Sequence, residues 1–190
     1  MRKRERETVK KMQSWLVLLL PLFVMGQSAL PMPLQLDDPG FRKILVQVDS
    51  LLIGGQPDSA AITQLPGRGV TTVICLRTPE ELANRSGLPF AEADLVASLG
   101  MQFIHLPLDG DAYPYSPLAV DSLARVLRQL RGKALLHCTS GWRASHLWAA
   151  YLILQRGYPV ADALAHARQI NLGRYPVIDL LGRELQCSDE

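Results

Sequence analysis

Residues Lys133–Ser145, K-A-L-L-H-C-T-S-G-W-R-A-S, constrain the fold more than any other stretch of the chain. Ala134, Leu135 and Leu136 form a short apolar run of the kind that makes a buried strand. Cys138–Arg143 is a loop of small residues in which Gly141 is free to adopt backbone angles that other residues resist. From Ala144 the text turns helical and apolar through Leu147, Trp148, Tyr151 and Leu154. A strand–loop–helix unit aims loop amides and the positive end of a helix dipole at one small volume, which suits an anion. The same field favours the thiolate of Cys138, the nucleophilic form of cysteine. A lone cysteine at a strand end is commonly core. Here a nucleophile, a flexible loop and the guanidinium of Arg143 occur together, and that combination points to a functional loop.

The motif H-C-T-S-G-W-R-A-S resembles the signature of the cysteine-dependent tyrosine and dual-specificity phosphatases, H-C-x-x-G-x-x-R-[ST]. His137, Cys138, Gly141 and Ser145 fall in register. The arginine comes one residue early, at Arg143, and Ala144 holds the family's arginine position. This shortened loop is similar to the phosphatase-like domain attached to bacterial beta-lactamase-like hydrolases, and its length also matches rhodanese sulfurtransferases. S-L-L-I-G-G-Q-P at Ser50–Pro57, V-I-C-L-R-T-P-E-E at Val73–Glu81 and F-I-H-L-P-L-D at Phe103–Asp109 resemble the family's preceding elements in order. The likeness covers about residues 41–172.

Met1–Lys11 is basic, and Trp15–Met25 is an apolar run followed by the small residues Gly26, Ser28 and Ala29. Residues 1–29 therefore read as a secretory signal peptide, with an uncleaved anchor as the alternative. The expected location is the bacterial periplasm, or the inner membrane if the segment stays attached. The first eleven residues hold six of the twenty Lys and Arg but only two of the eighteen Asp and Glu. The remainder is slightly acidic, with no basic stripe for nucleic acid. Membrane contact is expected only through the N-terminal segment.

Residues 30–40, with Pro31, Pro33 and Pro39, read as an extended linker, 41–185 as the domain and 186–190 as a tail. Ile44–Val48 and Leu51–Ile53 suggest a hairpin, and Val70–Leu76, Gln102–Leu106 and Ala134–His137 further strands. Helices are expected at Ser59–Leu65, Phe90–Leu99, Pro117–Leu130 and Val160–Ile170, with a short one within Val177–Leu185. Alternating strands and helices predict a single α/β domain whose central, mainly parallel sheet of four to five strands carries helices on both faces.

Ligands of such sheets bind at the carboxyl ends of the strands, where Cys138 follows one strand and Asp109 another. Cleavage of a phosphomonoester needs a thiolate, a positive cradle and an acid. Cys138 is the expected nucleophile. The amides of Thr139, Ser140, Gly141, Trp142 and Ala144, with Arg143, make the cradle. Asp109 is the first candidate acid and Asp111 the alternate, although Asp109 before Gly110 also fits a turn. The resemblance implies that Ser145 hydrogen-bonds the leaving thiolate and that His137 orients the loop. Trp142 is expected either to wall the site or to pack over the sheet. A shorter cradle also suits sulfur transfer from thiosulfate through a Cys138 persulfide, and a third reading is a non-catalytic binder of phosphorylated ligands. The partner is accordingly a phosphorylated protein or small molecule, or a sulfur donor. Cys75, near the end of its strand, is a candidate for a reversible disulfide with Cys138, and Cys187 is the third cysteine. His105, His137, His146 and His166 form no pair at ligand spacing; neither a metal nor any other cofactor is expected.

Overall fold

The computed structural model describes residues 30–173 and 176–183. The expected signal peptide, the tail and Cys187 lie outside them. Six strands form one sheet: β1 (Leu34–Gln35), β2 (Leu45–Val48), β3 (Leu51–Gly54), β4 (Val70–Cys75), β5 (Gln102–His105) and β6 (Lys133–His137). Their order is β1-β2-β3-β6-β4-β5. β3, β6, β4 and β5 run parallel, while β1 and β2 are antiparallel additions at one edge. The sequence suggested four to five strands. The sixth is β1, two residues of the expected linker that pair Leu34 with Gln47 and Gln35 with Val46. So short a strand lacks the alternation needed to read it from sequence.

The β2–β3 hairpin turns at Asp49, whose φ of 51° is a left-handed conformation that Asp tolerates better than most residues. Beyond β3 the chain needs two glycines for a reason of space. A Cβ on Gly55 would lie 1.7 Å from the Arg42 carbonyl oxygen, and one on Gly54 2.6 Å from that of Ile44. Only bare backbone lets the Phe41–Ile44 segment press against the end of β3.

Helices cover both faces. α1 (Ser59–Gln64) and α3 (Glu92–Ser98) lie over a core of Leu52, Ile62, Leu65, Val73, Val96 and Leu135. On the other face, α4 (Pro117–Arg128), α5 (Trp142–Arg156), α6 (Val160–Arg168) and α7 (Val177–Leu181) enclose a larger core that includes Ile53, Ile74, Leu123, Leu136 and Leu147. α5 is buried from Ala144 to Leu152 because α4, α6 and α7 all pack on it, so its sequence is apolar all round. α7 stops at Gly182, φ 64°, within the Val177–Leu185 stretch where a short helix was expected. One short helix escaped the periodicity reading: α2 (Pro79–Ala83) is only five residues long. Among the described residues no helix is long and apolar enough to cross a membrane.

Candidate active site

β6 delivers His137 and Cys138 to the carboxyl edge of the sheet, and Gly141, at φ 81°, turns the loop into α5. The first intrahelical amide bond of α5 runs from Ser145 N to Gly141 O at 2.9 Å. The amides of Trp142, Arg143 and Ala144 therefore have no intrahelical acceptor, and the helix presents its positive end beside Cys138. The loop is held from outside. Gln56 N donates to Thr139 O (3.1 Å), Cys138 N to Gly54 O (3.4 Å) and Asn171 Nδ2 to Ser140 O (3.0 Å). Cys138 is only 1% exposed. It joins the apolar core on the α5 side of the sheet, near enough to Arg143 and Tyr115 to interact with them electrostatically.

Arg143 leaves the first turn of α5 and spans the ends of two strands. Nη1 donates to Leu76 O (3.2 Å), Leu108 O (3.0 Å) and Glu81 Oε2 (2.7 Å); Nη2 donates to Glu81 Oε1 (2.7 Å) and Thr139 Oγ1 (3.0 Å). The guanidinium fork thus grips the Glu81 carboxylate in bidentate fashion. Glu81 also accepts from Thr78 N (2.8 Å), closing a capping box at the start of α2, and from Thr139 Oγ1 (2.9 Å). Burial alone would raise the Glu81 carboxyl, but the hydrogen bond and charge of Arg143, with Thr78 and Thr139, hold it at about 2. Sequence reasoning did not single out Glu81. The signal was present in Thr78-Pro79-Glu80-Glu81, since Thr followed three residues later by Glu marks a capping box.

A second charge cluster lies on the α1/α3 face. His137 Nε2 meets Glu92 Oε1 at 2.8 Å, with both side chains almost fully buried. Glu92 Oε2 accepts from Gln56 Nε2 (2.9 Å), and Gln56 Oε1 accepts from Arg77 Nη1 (2.7 Å). Burial by itself would strip the proton from His137; the Glu92 carboxylate, with Cys75 beside it, keeps its pKa well above the ordinary value. Glu92, which burial alone would raise, is held below its ordinary value by His137, Gln56 and Arg77. The resemblance cast His137 as the residue that orients the loop, and its burial beneath Cys138 is consistent with that. Glu92, Gln56 and Arg77 were missed, because nothing local marks an acid in α3 as buried.

Cys75, Glu92 and His137 offer ligand atoms within 4.8 Å of one another, the spread that a metal site requires. The 2.8 Å imidazole–carboxylate contact, with the Arg77 cation nearby, makes the cluster a buried ion pair. It also revises the expectation for Cys75. That residue pairs with His137 across β4 and β6, so its thiol faces α3, whereas Cys138, one residue on, joins the core of the opposite face. Both thiols are free. The period of two along a strand separates the cysteines that sequence proximity to one sheet edge seemed to unite.

Other expected positions find different surroundings. Ser145 is buried and its Oγ donates to Trp142 O (2.7 Å), inside the first turn of α5. Trp142 packs among residues of its own helix and of the segment after α6. Its ring meets His146 edge-on at 4.8 Å and presses on Gly173, where a Cβ would lie 2.5 Å from Nε1. His146 accepts from Gly173 N (3.3 Å), and burial lowers its pKa to about 4. Ala144 is wholly buried. Exposed Asp109 accepts at Oδ1 from the amides of Asp111 and Tyr113, both 2.9 Å, so it shapes the turn at Gly110. Asp111 enters this arrangement through its amide.

A family model for "DSP-PTPase phosphatase fused to NAD+ Kinase" matches residues 46–177. A beta-lactamase hydrolase-like protein of Xylella fastidiosa is 28% identical over 134 residues, 70% of this chain but 30% of that protein. The chain thus spans less than a third of the length of this curated relative. Among solved structures, a DUF442 phosphatase from Shewanella putrefaciens superposes with a TM-score of 0.58 at 27% identity, over 75% of this chain and 89% of that one. TpbA of P. aeruginosa, solved in complex with phosphotyrosine, shares the fold with a TM-score of 0.54 at 22% identity, over 73% and 78%. The family model spans more than half of the sequence, and the chain belongs to the family described as DSP-PTPase phosphatase fused to NAD+ kinase, within the cysteine phosphatase superfamily.

Proposed function

We propose that this protein hydrolyses phosphate monoesters through a cysteinyl-phosphate intermediate. The observation that carries the reading is the convergence of Cys138, the first amides of α5 and the Arg143 guanidinium on one crevice at the carboxyl ends of β4, β5 and β6. The Cys138 thiolate attacks phosphorus, the S–P bond forms and the P–O bond to the leaving alcohol breaks. Asp109, through the carboxyl oxygen that its own turn leaves free, protonates that alcohol oxygen. Water then attacks the phosphocysteine, releasing phosphate and the thiolate. The helix amides and the Arg143 charge stabilise the negative charge on the transferring group. His137, fixed beneath Cys138 by Glu92, sets the loop.

The substrate is a phosphorylated protein or small molecule; the phosphotyrosine bound by TpbA supports this class. The basic and apolar segment at residues 1–29 supports a periplasmic location, with anchoring in the inner membrane as the alternative. The test supplies an aryl phosphate in one arm and thiosulfate with cyanide in the other. Phosphate release that Cys138→Ser abolishes and Asp109→Asn slows by about 100-fold is the expected result. Turnover of thiosulfate alone identifies a sulfurtransferase, and turnover of neither a binding module.

A further inference from the structure

The terminal donors of Arg143 are already engaged. Nη1 and Nη2 each meet an oxygen of the Glu81 carboxylate at 2.7 Å; Nη1 also reaches the carbonyls of Leu76 and Leu108, and Nη2 reaches Thr139 Oγ1. A phosphoryl group would use the same two-oxygen grip on the same fork. Glu81 is tied to the loop as well, because Thr139, the residue after Cys138, donates Oγ1 to Glu81 Oε1 at 2.9 Å. In the free protein, then, a carboxylate of the chain itself fills the fork.

Three features let that carboxylate leave while the guanidinium stays. The Leu76 and Leu108 carbonyls hold Nη1 at the ends of β4 and β5 independently of Glu81. Glu81 keeps 31% of its side chain exposed, against 13% for Arg143. A second cation stands on its other side: Arg77 Nε, buried and without a hydrogen-bond partner among the described residues, lies 3.7 Å from Glu81 Oε1. A shift of about 1 Å brings that pair to ordinary hydrogen-bond distance. An unpaired buried N–H is unfavourable, so Arg77 gains from a carboxylate that Arg143 releases.

We propose that Glu81 sets the affinity of the Cys138 loop for its ligand, as an internal competitor that yields the Arg143 fork to a phosphoryl dianion and moves onto Arg77 Nε. This rests on the phosphatase reading, which supplies the dianion. A group with two negative charges has about twice the Coulomb attraction for the guanidinium that one carboxylate has. The exchange takes place on binding, before any bond breaks, so it acts on KM and leaves kcat unchanged.

Glu81→Gln keeps the length of the side chain and removes its charge. In the full chain it is compared with the unaltered protein for aryl phosphate turnover and for inorganic phosphate binding by isothermal titration. The expected result is a fall of about tenfold in both KM and the phosphate dissociation constant, since a neutral amide holds a guanidinium more weakly than a carboxylate does. kcat is expected to change less than about twofold. Glu81→Ala, which removes the acceptor, is expected to lower both constants too, whereas damage to the loop raises them. Unchanged or raised constants in both variants overturn the proposal, and turnover by the unaltered protein then leaves the phosphatase reading standing. Tighter phosphate binding by the variants, without turnover by any of the three proteins, keeps the inference and refutes the phosphatase reading. Absence of both turnover and phosphate binding refutes both.

Discussion

Two acid–base pairs brace the same loop from opposite sides, and they differ in their access to water. Glu81 and Arg143 meet at the crevice, where Glu81 keeps 31% of its side chain exposed. Glu92 and His137 meet beneath the loop, exposed by 1% or less. Gln56 and Arg77 join the two: Arg77 donates to Gln56 on one side and to Glu81 O (3.1 Å) on the other. The outer pair can exchange its contacts for water when broken. The inner one cannot, because a buried charge without its partner has no solvent to turn to. The inner pair is therefore expected to weigh more on stability than the outer pair.

Breaking the inner pair produces the largest effect. Glu92→Leu leaves the His137 charge, or its desolvated ring, unpaired, and is expected to cost about 3–5 kcal/mol in denaturant unfolding. Adding His137→Phe to Glu92→Leu restores much of that loss, since two apolar groups replace a matched pair. A single substitution that costs under about 1 kcal/mol shows that the inner pair does not support the fold in this way.

The outer pair separates activity from stability. Arg143→Lys keeps the charge and loses the fork, and is expected to reduce kcat/KM for an aryl phosphate by about 100-fold or more while unfolding stability changes by about 1 kcal/mol. Equal losses in both measurements would erase the distinction. Glu81→Gln is milder: it keeps one acceptor and the reach of the side chain but gives up the charge, for about 1–2 kcal/mol of stability.

Acid unfolding sharpens the same contrast. Glu81, depressed to about 2, contributes stability that is present above its unfolded value near 4.5 and is lost as pH falls through the folded value. Glu92, also depressed, loses its contribution in the same direction. His137, raised, contributes fully below its unfolded pKa and loses that contribution as pH rises through the folded one. Stability is accordingly expected to fall on acidification through both carboxylates and on alkalinisation through His137. In Glu81→Gln the acid limb becomes shallower and the alkaline limb stays. An unchanged acid limb in that variant would remove Glu81 from this account.

Sequence and structure agree where a motif is contiguous along the chain. Strand β6, the loop and α5 occupy one run from Lys133 to Arg156, so the apolar pattern, Gly141 and the spacing of Cys138 and Arg143 are visible together. The hairpin and the parallel β3, β4, β5 and β6 likewise follow from short apolar runs separated by helices. Glu81 was half legible, as a capping-box acid whose second task lies 62 residues away at Arg143. Glu92 was not legible. It belongs to no local motif, and its surroundings arise only when α3 covers the sheet over β6.

What the amino-acid order determined by itself is the class of fold and the position of the Cys138–Arg143 loop, since both depend on local periodicity and on one glycine-bearing turn. The tertiary structure alone decided which side chains face that loop. Pleating sends Cys75 and His137 to one side of the sheet and Cys138 to the other. Bidentate pairing turns Arg143 toward Glu81. Those outcomes depend on register and on contacts between distant segments, which no stretch of sequence contains on its own.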